Sequence, residues 1–231
     1  MTRQPEPAEF VPTHPAPPVL HADDIQVRWV MPEAFHDIPI HETDDEAVRL
    51  LGELVEKALP GAGEEAQTAL AVTCALGVDD LLAADARYAG LCVTAIDETP
   101  CTATVFAALV DSPDVAEVGG AVKAIAANLR ETGDAEVSEI ELPCGSAVSY
   151  IGSREDKLIG DLTDSGQELT FSTWYIQVYV PLPNGTCLMM EMSTPTVAGW
   201  DVFSTMFGNT VSSIRLFHAD GTPLITSVAA A

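Results

Sequence analysis

A chain of 231 residues with 47% hydrophobic content is long enough to bury a substantial core and fits a single domain with decorations. Ten basic against thirty-five acidic side chains leave a formal charge of −25, which makes nucleic acid and anionic lipid poor partners and points to a basic or apolar protein surface instead. Five cysteines (Cys74, Cys92, Cys101, Cys144, Cys187), no two closer than nine positions, suggest neither a disulfide framework nor a zinc ribbon, so reduced thiols and a cytoplasmic location are expected.

Residues 1–22 read as a flexible Pro-rich arm, because Pro5, Pro7, Pro12, Pro15, Pro17 and Pro18 remove amide donors and favour extended conformations. The rest, 23–231, reads as one α+β domain. Its first strand is expected at 25–31, followed by a loop holding Pro32, His36, Pro39 and His41. Thr43-Asp44-Asp45-Glu46 has capping-box spacing, in which Thr43 and Glu46 satisfy each other's backbone amides and open a helix. Val48, Leu51, Val55 and Leu59 recur at helical spacing up to Pro60-Gly61. A second helix is expected over 63–76, capped by Gly77, completing a helical pair over 43–86. The longest weakly polar run, 68–78, is shorter than the roughly 20 residues of a membrane span, so no membrane insertion is expected.

A sheet with flanking helices is expected over 87–217. Residues 87–96 and 101–110 are rich in Val, Thr and small apolar residues and form a hairpin about Asp97-Glu98-Thr99-Pro100. Ser112-Pro113 reads as a cap and first helical position, with Val115, Val118, Val122, Ile125 and Leu129 on one face and Gly133 as terminator. Residues 137–142 and 147–151 make another strand pair about Pro143-Cys144-Gly145, and the charged stretch 152–167 reads as a loop. A long strand over 169–181 turns at Asn184-Gly185 and returns through Thr194. A closing helix carries Phe203, Met206, Phe207, Thr210, Val211 and Ile214.

With Asn184-Gly185 as a two-residue turn, paired residues have numbers summing to 369. Tyr175, Gln177 and Tyr179 then share a face with Leu188, Met190 and Met192. Adaptable Met and Tyr side chains suit a surface that grips varied apolar partners, which makes Tyr175, Gln177, Tyr179, Met190 and Met192 the expected partner-binding residues.

No catalytic set emerges. Cys144-Gly145-Ser146 is the one local nucleophile candidate, and it reads better as a tight turn. His36 and His41 with Asp37 and Glu42 have no spacing that fixes a metal geometry. Asp161, Asp164 and Gly166 lack the spacing of a calcium loop. Gly119-Gly120 lies in a helical pattern without a following Lys-Ser/Thr. No metal or cofactor is expected.

The order of elements, the Leu142-Pro143-x-Gly145 turn, the Pro181-Leu182-Pro183-Asn184-Gly185 hairpin, the Ser193-Thr194-Pro195 exit and the closing Ser213-Ile214-Arg215 resemble a PsbP-like domain. Actinobacterial proteins share this build. The resemblance covers about residues 87–217 and implies an α/β/α sandwich about an antiparallel sheet. It further implies a non-enzymatic role, as in extrinsic subunits, lipoproteins and acidic chaperones of secretion effectors. Three functions are therefore expected in order: a protein-binding module such as an adaptor or secretion chaperone, a structural subunit or homo-oligomer, and an enzyme using Cys144.

Overall fold

The computed structural model describes residues 18–113, 117–133, 135–158, 160, 163 and 166–224. Most of the Pro-rich arm therefore lies outside the described residues. The arm's last four residues, Val19–Ala22, are strand β1, which pairs with β2 (Ile25–Arg28). The domain thus begins before residue 23. An alternating apolar pattern explains this: Leu20, Ala22, Ile25 and Val27 all bury their side chains on one face.

The fold is α+β, as expected. Among the described residues two antiparallel sheets form. The small one is ordered β1-β2-β10, closed by β10 (Arg215–His218). The large one is ordered β3-β4-β5-β9-β8-β7-β6. Its strands are β3 (Phe35–Asp37), β4 (Ala86–Ile96), β5 (Thr99–Asp111), β6 (Glu136–Leu142), β7 (Gly145–Leu158), β8 (Leu169–Pro181) and β9 (Thr186–Thr194). The helices are α1 (Asp44–Ala58), α2 (Glu64–Ala83), α3 (Val118–Thr132) and α4 (Trp200–Ser212).

One face of the large sheet packs against the small sheet and α4. Val27, Trp29, Phe35, Val105, Met190, Met192, Phe203, Phe207 and Ile214 meet there in the main core. The layer that the sandwich reading assigned to helices alone is therefore a helix beside a second sheet. The opposite face carries α1, α2 and α3, and here the packing divides. Leu51, Leu54, Val55 and Cys74 of the helical pair cover Ile38, Ile40, Ala89 and Leu91. At the other end, Val122, Ile125 and Ala126 of α3 cover Val148 and Cys187.

Several local expectations shift. Thr43 is the N-cap residue of α1, but its side chain makes no capping hydrogen bond, and Glu46 pairs with Arg49 instead. α2 continues through Gly77 to Ala83, because an interior Gly costs only about 1 kcal/mol and Val78 and Leu81 gain packing against the helical-pair core. α2 is consequently long and apolar enough to cross a membrane by length and composition, unlike the 68–78 run taken alone. α3 begins at Val118, and Val115, which the pattern placed on its face, lies outside the described residues. Phe35–Asp37, expected in a loop, pairs with β4. β7 runs seven residues beyond Ile151, to Leu158, pairing with β8 throughout.

The outer strand β6 exposes Glu136, Glu139 and Glu141, and β3 at the other edge has three residues. Both edges of the large sheet are therefore short or charged.

Candidate functional site

The β8–β9 register decides which side chains share a face. β8 runs over Leu169–Pro181 and β9 through Thr194, as expected, but pairs sum to 368: Tyr179 opposes Met189 and Gln177 opposes Glu191. The cause is Pro183. A two-residue turn would require residue 183 to close the hairpin, and proline has no amide hydrogen to donate. The loop instead takes three residues, Pro183-Asn184-Gly185, closed by Leu182 N–H donating to Thr186 O at 2.8 Å. Gly185 supplies the left-handed residue at φ 86°, the geometry of a three-residue hairpin.

A slip of one residue exchanges the faces of β9 relative to β8. Met190 and Met192 move to the main core and are fully buried. The expected partner-binding set is thus split: Tyr175, Gln177 and Tyr179 stay together on the helix-bearing face, where Met189, Glu191 and Ser193 replace the two methionines.

That face is open between α3 and the helical pair, since the two cores beneath these covers remain separate clusters. Thr104, in the middle of β5, is exposed, and Phe106, Met189, Gln177, Tyr175 and Tyr150 are half-buried. Across the floor runs a directional chain of hydrogen bonds. The Tyr179 hydroxyl donates to Gln177 Oε1 at 2.8 Å, and Gln177 Nε2 donates to Glu191 Oε2 at 2.7 Å. Arg154 on β7 donates Nη1–H to Glu191 Oε1 at 2.8 Å. Glu191 is 4% exposed and Arg154 43%, so the carboxylate sits within the floor while its guanidinium partner reaches solvent.

Arg154 lies 5.3 Å from the Tyr175 ring centre and also contacts Asp156 at 3.3 Å. Tyr175 packs against Tyr150, ring centres 5.7 Å apart. Gly152 makes this possible: a Cβ there would fall 2.7 Å from the Tyr175 hydroxyl. Burial and a hydrogen bond with Tyr150 push the Tyr175 phenol up to about 12. Burial, with Cys187 and Glu191 nearby, pushes Tyr179 up to about 12. Both are neutral donors at physiological pH. Thr104 and Ser193 hydroxyls bond at 2.9 Å beside them.

No family model and no curated protein matches the sequence. Among solved structures, LpqN of Mycobacterium tuberculosis, involved in cell envelope biogenesis, is similar to this chain at a TM-score of 0.39 and 11% identity. The similarity covers 87% of this chain and 90% of that one. It is a loose likeness of topology.

The other candidates fall elsewhere. Cys144 is buried in the main core, and burial pushes its thiol up to about 11, leaving little thiolate at neutral pH. His36 and His41 line a cavity of about 540 Å³ beside α1, where the Tyr88 hydroxyl donates to Asp37 at 2.8 Å. Among the described residues no three His, Cys, Asp or Glu side chains cluster as metal ligands. Sequence reasoning missed Arg154, Tyr150 and Met189. The signal for Glu191 was present: a lone acid in the strand CLMMEMST requires a partner wherever its side chain is buried.

Proposed function

We propose that the protein is a non-enzymatic, cytoplasmic protein-binding module, adaptor-like or chaperone-like, that takes a partner segment into the cleft between α3 and the α1–α2 pair. The observation that carries this reading is the exposed centre of the large sheet. A sheet face between two helical covers is ordinarily buried, and here a Tyr, Met and Gln floor is left accessible around a fixed Arg154–Glu191 pair. Neutral phenols and an amide give adaptable hydrogen bonding, while Met189 and Phe106 give apolar contact. The ion pair fixes the floor without changing shape, because each Glu191 oxygen already has a donor. A net charge of −25 favours a partner segment that is basic outside the cleft. All five cysteines are unpaired and buried, in keeping with a reducing compartment. The reading is in line with the mostly non-enzymatic PsbP-like domains that the order of elements in the sequence resembles.

Thr104→Trp tests it. Thr104 is exposed, so the variant fills the cleft from its floor and should fold with a loss of about 1 kcal/mol, the worth of one hydroxyl hydrogen bond. Affinity capture from the native cell should lose the partners that the unmodified protein retains. An identical set of captured proteins for both forms overturns the proposal.

A further inference from the structure

α2 departs from the rule that a helix apolar all round is buried. Its apolar residues show no preferred side, and of its twenty residues only Cys74 is buried. The inner side, Leu70, Ala71, Val78 and Leu81, packs on the helical-pair core. The outer side leaves Val72 42% and Leu76 52% exposed, beside exposed Ala69 and Thr73. The thirteen residues 66–78 carry no charge, a strip about 20 Å long at 1.5 Å per residue.

Acids close the strip at both ends. Glu64 and Glu65 occupy the first turn, where the helix dipole favours them. Asp79 and Asp80 sit one turn from the C-terminus, with no basic residue in the last turn, and there the dipole disfavours them. Among the described residues no ion pair forms with either. Helix stability therefore does not account for this second acidic pair, which leaves two exposed carboxylates without a cation among the described residues.

We infer that the outer face of α2 docks an amphipathic helix of another protein, one whose apolar stripe spans about three turns and whose Lys or Arg residues flank that stripe at both ends. Charge complementarity selects this occupant. A second copy of the chain brings the same acids and another −25 of charge. A bilayer surface is held by helices with Lys or Arg on their polar face, and residues 58–86 contain neither. The inference is independent of the sheet cleft.

The test uses the full chain and two fluorescent synthetic helices of about 18 residues, long enough to fold, one Leu/Lys and one Leu/Glu. The Leu/Lys helix should bind and the Leu/Glu helix should not. Leu76→Glu adds negative charge yet should weaken binding about tenfold or more, since it places a carboxylate in the apolar contact. Asp79→Lys with Asp80→Lys should weaken it severalfold and flatten its salt dependence, and Thr104→Trp should leave it unchanged. Unweakened binding to Leu76→Glu, or no binding to the unmodified chain, overturns the inference. So does a dimer in sedimentation, or capture by phosphatidylglycerol vesicles, that Leu76→Glu abolishes; the face would then belong to a second copy or to a lipid surface.

Discussion

Arg154 and Glu191 meet at 2.8 Å across the intervening strand β8, one side chain nearly half-exposed and the other enclosed by the floor of the cleft. The pair is asymmetric, so its two halves fail differently. Arg154→Ala leaves a buried carboxylate held by Gln177 alone, and should cost about 2 kcal/mol, below the full value for a deeply buried pair because water reaches the vacated side. Arg154→Lys keeps the charge but loses the forked guanidinium that reaches both Glu191 and Asp156, and should fall between. Urea unfolding midpoints of the three forms give the order.

Neighbouring methionines provide a test of the register. Met190 is buried in the main core and Met189 faces the cleft. Met190→Ala should cost about 2–5 kcal/mol, and Met189→Ala under about 1 kcal/mol. Equal losses in denaturant melts would contradict the 368 pairing.

Gly152 and Tyr175 form a lock of backbone and ring. Gly152→Ala should swing the ring off β7, and the Tyr175 phenol should then titrate closer to its ordinary value of about 10. Ultraviolet titration of the variant beside the unmodified protein reads this directly. In a double-mutant cycle with Tyr175→Ala, the cost of Gly152→Ala should shrink, leaving the part due to Ala135, whose Cβ lies 3.1 Å from the added carbon.

Alkaline stability follows from the phenols. Tyr175 and Tyr179 are pushed up to about 12, and Tyr88 is raised as well by burial and the adjoining Asp37 carboxylate. Above about pH 10 the unfolded chain releases these protons while the folded one keeps them. Their contribution is thus fully present below pH 10 and lost as pH rises towards 12. A thermal midpoint that holds steady to pH 10 and then falls confirms it; one that rises across that window refutes it.

Strand and helix positions were largely legible from periodicity: Leu169 through Thr194, the hairpin of β4 and β5, and the apolar face of α4 all follow local spacing. The site was legible by half. Tyr175, Gln177 and Tyr179 stand together because a strand's alternation is local, but their cross-strand partners depend on a turn one residue longer than Asn184-Gly185 suggests. Pro183 held that information, as a residue without an amide proton cannot close a hairpin. Arg154 was hidden for another reason. Ser153 through Lys157 is polar on both sides of the strand, and pairing with β8 alone, a contact distant in sequence, holds it extended. Gly77 misled similarly: it suggested a helix cap, whereas packing of Val78 and Leu81 carries α2 past it.

The rim formed by Glu136, Glu139 and Glu141 on β6 has a further effect. Any foreign strand laid alongside would set its side chains against three negative charges in seven residues, and at the far margin β3 offers only three residues of template. Growth of the large sheet by edge-on recruitment, the route to fibres, is thereby discouraged at both of its ends, even when heat or mutation loosens the layers above.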